Sequence, residues 1–216
     1  MEEQKKNEKT RVFNLIIVDE SGSMSIIRKQ AFSGMNETLQ TIRKMEEMYP
    51  EQEQFVTLVT FDTGHTTWHY DNVAARNTHD LLWNAYNPSG ATPLYDAMGK
   101  AISKLNAQVQ AGDKVLVTVI TDGEENSSRE WTLRMIKNLI EKLKEQGWTF
   151  TLIGTDNLDV ESMARSFSIN EHLAFTEDEE STEKMFARER RSRIRFNDAI
   201  CHCIAMEEGS FFDDED

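Results

Sequence analysis

Four short stretches of the chain are almost continuously apolar: VFNLIIV at 12–18, FVTLVTF at 55–61, VLVTVI at 115–120 and FTLI at 150–153. Each is rich in β-branched residues and bounded by turn formers, the pattern of a strand buried on both faces. Between them the spacing becomes helical. Phe32, Met35, Leu39, Ile42 and Met45 step by three and four, as do Leu133, Ile136, Ile140 and Leu143. Each set makes one apolar stripe to lay on a sheet. Buried strands alternating with one-faced helices predict a parallel sheet covered on both sides, with right-handed crossovers.

Three further segments complete this order. HTTWHY at 65–70 follows the second strand closely enough to be a hairpin partner, which predicts one antiparallel edge strand. NEHLAF at 170–175 reads as a last strand, after a helix carrying Val160, Met163 and Phe167. A final helix is expected from about Glu179 to Met206, with Phe196, Ala199, Cys203 and Met206 inward. It contains ARERRSRIR at 187–195, which reads as a solvated basic face or a docking surface for an acidic partner. Residues 1–11 read as a flexible lead-in, 12–206 as one domain and 207–216, EEGSFFDDED, as an acidic tail expected to be disordered.

The length of 216 residues suits one sizeable core. With 38 acidic against 24 basic residues, a formal charge of −14, the chain is a poor phosphate binder, and no nucleic-acid partner is expected. No apolar run approaches the roughly 20 residues of a membrane span, and the first residues lack the apolar core of a secretory signal, so no membrane partner and a cytoplasmic location are expected. Cys201 and Cys203 are too close in sequence to staple a fold. They read as reduced structural thiols, since three adjacent ligands fall short of a zinc pattern. His65, His69 and His79 read as surface or packing histidines.

Chemistry concentrates where strands end. In open α/β sheets the ligand crevice lies outside the carboxyl ends of the strands, where the strand order reverses. There the chain places VDESGSMS after its first strand and VITDGEENSS after the third apolar run, while YNPSGATPLYDAM at 86–98 runs from a loop into a helix, with Thr92 expected as its N-cap. Asp19, Ser21, Ser23, Thr92 and Asp122 are thus delivered to one place, and all offer hard oxygens. Such a set suits magnesium or manganese, and suits zinc or copper poorly. Alternate residues of an extended turn project the same way, so Ser21 and Ser23 can reach one ion with Asp19 behind them.

With DESGSM, SGATPLYDA and TDGEEN in these positions, residues 12–175 resemble a von Willebrand factor A-type domain with a complete metal ion-dependent adhesion site. Stand-alone bacterial members are the nearest resemblance, through TDGEEN and QGWTFTLIG. The resemblance implies a Rossmann-like three-layer αβα fold, with a six-stranded, mostly parallel sheet. It implies Mg²⁺, with Mn²⁺ as an alternative, bonded directly by Ser21, Ser23 and, in one state, Thr92, with Asp19 and Asp122 acting largely through water. A partner protein would complete the site with an exposed Asp or Glu. Glu20, Met24, Gly90, Gly123, Glu124 and Glu125 are the expected partner-binding rim, the three glutamates reading equally as solvated loop acids. The oligomeric state is left open, and the tail acids Asp213, Asp214, Glu215 and Asp216 are candidates to occupy a neighbouring molecule's site. Two rival readings stay open. One is a metal-dependent phosphatase or hydrolase, disfavoured because Ser21 stands where a second aspartate is wanted and no phosphate loop exists. The other is a scaffold with a purely structural metal.

Overall fold

The structure, a computed structural model, describes residues 9–206 and 210–212. Among them the strands are β1 (Thr10–Asp19), β2 (Gln52–Phe61), β3 (Thr66–Ala74), β4 (Lys114–Thr121), β5 (Trp148–Thr155) and β6 (Glu171–Phe175). The α-helices are α1 (Arg28–Met48), α2 (Leu94–Asn106), α3 (Leu133–Lys144), α4 (Val160–Ser166) and α5 (Glu179–Cys201). The strands form one sheet in the order β3-β2-β1-β4-β5-β6. Only β3 is antiparallel to its neighbour, so the expected edge strand and parallel core are both present.

The chain winds outward from β1 in one direction through β2 and β3, then returns to β4 on the other side. The order therefore reverses between β1 and β4, which opens a crevice at their carboxyl ends.

Alternation along the strands divides the core. Val12, Ile16 and Val18 pack with α1 and with Met185, Phe186 and Phe196 of α5. Phe13, Leu15 and Ile17 point the other way, onto α2, α3 and α4. Helices thus cover both faces, the three layers that the apolar runs predict.

The last helix departs from expectation. It ends at Cys201, and Cys201 and Cys203 are both exposed. The thiols are therefore surface groups, because the chain leaves the helix before the stripe reaches Cys203, which takes a positive φ of 55°. The basic run is only partly solvated: Arg191 is exposed, while the inner face of the run is built into the core. Arg193 is fully buried against the sheet, donating from Nη1 to Asn14 Oδ1 (2.7 Å), from Nη2 to Thr118 Oγ1 (2.9 Å) and from Nε to Glu189 Oε1 (3.0 Å). Gln52 and Gln54 of β2 extend this polar layer to Asn197. Arg190 pairs with Glu37 of α1.

Two residues of the expected tail are also built into the core. Phe211 and Phe212 are buried, and the Phe211 amide donates to Glu171 Oε2 at 2.9 Å. Arg195 donates to the Phe211 carbonyl at 2.9 Å and Arg188 to that of Phe212 at 3.0 Å. The tail acids Asp213, Asp214, Glu215 and Asp216 lie outside the described residues.

Candidate metal centre

Three segments meet at the crevice. Asp19 ends β1 and is wholly buried, with both carboxylate oxygens used: Oδ1 accepts from the Ser21 amide (2.7 Å) and Oδ2 from Thr121 Oγ1 (2.6 Å). The first bond folds the chain into the turn that carries Ser21 and Ser23, whose hydroxyl oxygens lie 3.2 Å apart. The second ties β1 to β4. Ser23 Oγ then donates to Asp122 Oδ1 at 2.7 Å, joining the serine turn to the residue after β4.

Thr92 arrives from the third segment. It is not the N-cap of α2; that position is Pro93, and no side chain caps the helix there. Instead Asn126 holds the Thr92 backbone on both sides, its Oδ1 accepting from the Thr92 amide (2.9 Å) and its own amide donating to the Thr92 carbonyl (3.1 Å). The Thr92 hydroxyl is left to face the crevice. A Cβ placed on Gly123 would lie 3.2 Å from Thr92 Oγ1 and 3.9 Å from Ser23 Oγ, so both hydroxyls converge on the space that this glycine leaves open.

The electrostatics favour a cation. Burial raises the Asp19 carboxyl above its ordinary range, although Thr121 and Ser21 donate to it. Asp122 is pushed up to about 7, first by burial and then by the charges of Asp19 and Glu177, against the opposing bond from Ser23. Its second oxygen, Oδ2, is buried without any hydrogen-bond partner. An orphaned carboxylate oxygen beside three hydroxyls is the environment a hard divalent cation relieves. Among the described residues no group of three or more His, Cys, Asp or Glu side chains is placed to hold a metal. A cation here therefore depends on hydroxyls, and these residues fit magnesium in kind.

The expected rim divides. Glu20 is half-exposed and accepts from the Asn87 amide (2.5 Å), while Gly90 and Glu124 are exposed. Gly90 needs to be glycine, because its φ is +71° and a Cβ would come within 2.7 Å of Thr63 Oγ1. Gly123 lines the crevice. Met24 is wholly buried, so it supports the serine turn from below and cannot meet a partner. Glu125 is committed internally, accepting from the amides of Tyr95, Ser127 and Ser128. Asp96 does similar work, accepting from the amides of Arg129, Glu130 and Trp131. Together they fasten the 122–131 loop to α2.

Sequence reasoning missed Thr121, Asn126 and Tyr86 as supports of the site. Tyr86 Oη, fully buried, donates to the Asp19 carbonyl at 2.7 Å. The only signal in its sequence context is an aromatic residue placed just before the threonine loop.

A profile of the von Willebrand factor type A domain matches residues 15–188, most of the chain. The chain belongs to this family. Among solved structures, this von Willebrand factor A domain is similar to the pilus adhesin SpaC of Lactobacillus rhamnosus GG, with a TM-score of 0.64 at 14% identity. The match covers 89% of this chain and 31% of that one, so the domain spans about a third of the adhesin. It also resembles the vWF domain of the type V pili tip protein Mfa5 from Porphyromonas gingivalis, with a TM-score of 0.60, 11% identity, and coverage of 93% and 98%. The SpRpn10 VWA domain matches with a TM-score of 0.57, 12% identity, and coverage of 83% and 94%. At such identities these likenesses establish the fold alone. No curated protein sequence matches the chain.

Proposed function

We propose that this von Willebrand factor A domain is a divalent-metal-dependent protein-binding module and not an enzyme. The observation that carries the reading is Asp122 Oδ2, buried without a partner in a crevice where the Ser21, Ser23 and Thr92 oxygens gather. Ser21, Ser23 and Thr92 would hold Mg²⁺ or Mn²⁺ directly, with Asp19 and Asp122 acting through water. When bound, the ion supplies a positive charge that neutral hydroxyls leave largely unquenched, and it attracts an anionic ligand. An Asp or Glu side chain of a partner protein is that ligand. The residues of the chain orient this encounter: Asp19 fixes the serine turn through the Ser21 amide, and Asn126 fixes Thr92.

Pilus adhesins among the structural neighbours are consistent with a binding role. A phosphatase of the haloacid dehalogenase type would carry a second aspartate two residues after the first, and Ser21 stands in that position. The test is calorimetric titration of Mg²⁺ and Mn²⁺ into wild type and Asp19→Ala, beside thermal unfolding with and without chelator. Binding in the wild type alone supports the reading. An absence of binding in both refutes it, and phosphoester turnover abolished by Asp19→Asn would favour the enzyme.

A further inference from the structure

The metal crevice has two unlike flanks. On the side of β4, Glu124 is exposed, and Glu177 accepts from Asn157 (3.1 Å), whose side chain shares the Thr155 hydroxyl with the Asp122 carbonyl. On the side of α1, three large apolar side chains stand in solvent: Ile26 (67% exposed), Leu82 (75%) and Trp83 (50%). Ile26 closes the serine turn. Leu82 and Trp83 belong to the loop that leads to Thr92.

The loop that carries Leu82 and Trp83 is held in place, and it is tied to the crevice. Arg28, the first residue of α1, stacks its guanidinium 4.4 Å above the Trp83 ring. It also donates to the Tyr86 carbonyl (2.9 Å) and to Asn87 Oδ1 (2.6 Å). Phe32, one turn along α1, meets the Trp83 ring edge-on at 5.1 Å. The loop is then stitched to the metal turn: Tyr86 Oη reaches the Asp19 carbonyl, the Ser89 amide donates to the Glu20 carbonyl at 2.8 Å, and the Gly22 amide donates to the Gly90 carbonyl at 3.1 Å. A tryptophan fixed by a cation and a second ring, yet half in solvent, offers a rigid aromatic face at low ordering cost.

We propose that the crevice and this flank are one recognition surface, whose occupant is a partner segment carrying an acidic side chain with a bulky apolar residue beside it. This rests on the metal-bridge reading above. The acid goes to the cation, and the apolar side chain covers Ile26, Leu82 and Trp83. The position of the apolar group fixes the direction. Further acids on the Glu124 side are repelled, whereas the α1 side sets Arg28 and Lys29 beside its apolar centre, with the Glu20 carboxylate held by the Asn87 amide. The partner's apolar residue therefore lies on the α1 side of its acid.

The test uses a phage-displayed random decapeptide library, panned on the immobilised full chain in Mg²⁺ and eluted with EDTA. The enriched peptides should share an Asp or Glu and a Leu, Ile, Phe or Trp at one fixed spacing. A synthetic consensus peptide should then bind Leu82→Ser and Trp83→Ser about tenfold or more weakly, the loss expected from uncovering such a side chain. Mg²⁺ affinity should be unchanged in both variants. Leu82→Ser serves as the control for folding, since its side chain is the most exposed of the three. Chelator-eluted peptides with a shared acid and no apolar residue, or equal binding by both variants, would overturn this inference and leave the metal bridge standing. No chelator-dependent enrichment, or peptides that bind Asp19→Ala equally well, would overturn both.

Discussion

Replacing Arg193 by Met tests whether α5 is seated by a buried polar lock. The guanidinium is wholly inaccessible and is held by Asn14, Thr118 and Glu189. Without it, the Glu189 carboxylate keeps only the long 3.5 Å bond from Thr118, and its Oε2 already has no partner. Stranding a buried charge in this way costs about 3–5 kcal/mol, a large share of the roughly 5–15 kcal/mol that holds a domain together. For a chain of this size the loss corresponds to a fall in Tm of about 6–20 °C. The double variant Glu189→Met with Arg193→Met removes both charges and leaves mainly neutral acceptors, so it should recover to within about 2 kcal/mol of wild type. Urea unfolding of the three proteins, compared at constant slope, is the assay. A single variant that loses under about 1 kcal/mol, or a double variant as damaged as the single, would refute the lock.

Other outcomes follow from the same geometry. Because the folded pKa values of Asp19 and Asp122 are raised, the metal-free protein retains protons that its unfolded chain releases; its Tm should fall as pH rises from about 4 towards 7, and saturating Mg²⁺ should remove that fall. Parallel Tm-versus-pH curves with and without the ion would contradict this. Gly34→Ala puts a Cβ 2.2 Å from the buried Phe186 ring and should cost about 1–3 kcal/mol in urea unfolding by forcing α1 and α5 apart. Phe211→Ala should cost about 3 kcal/mol, and an unchanged urea midpoint would show that the tail does not pack.

The sheet and the site are legible in the sequence for a common reason. Strands such as VFNLIIV are buried on both faces, so their composition alone records their environment. Asp19, Ser21, Ser23, Thr92 and Asp122 sit at strand or helix ends, where the fold class already dictates convergence. The inner face of α5 could not be read this way. Arg193 and Glu189 look like solvent-facing residues because what satisfies them, Asn14 and Thr118, lies far away in the chain. Asn14, a polar residue inside an apolar run, was the available clue. Phe211 and Phe212 are masked similarly, by acids on either side. Pattern reports the sign of a face, but it does not report which distant polar group waits opposite.

The Phe211 anchor also settles the geometry of attachment. Its amide is fastened to Glu171, the first residue of β6, and Thr10 opens β1 at the same amino-terminal edge of the parallel strands. Both ends of the described chain therefore emerge on the side opposite the Asp19 crevice. A tag, a tether or a surface fixed at either end holds the domain with its crevice outward. Immobilisation through the termini is the orientation in which the crevice stays open to a partner.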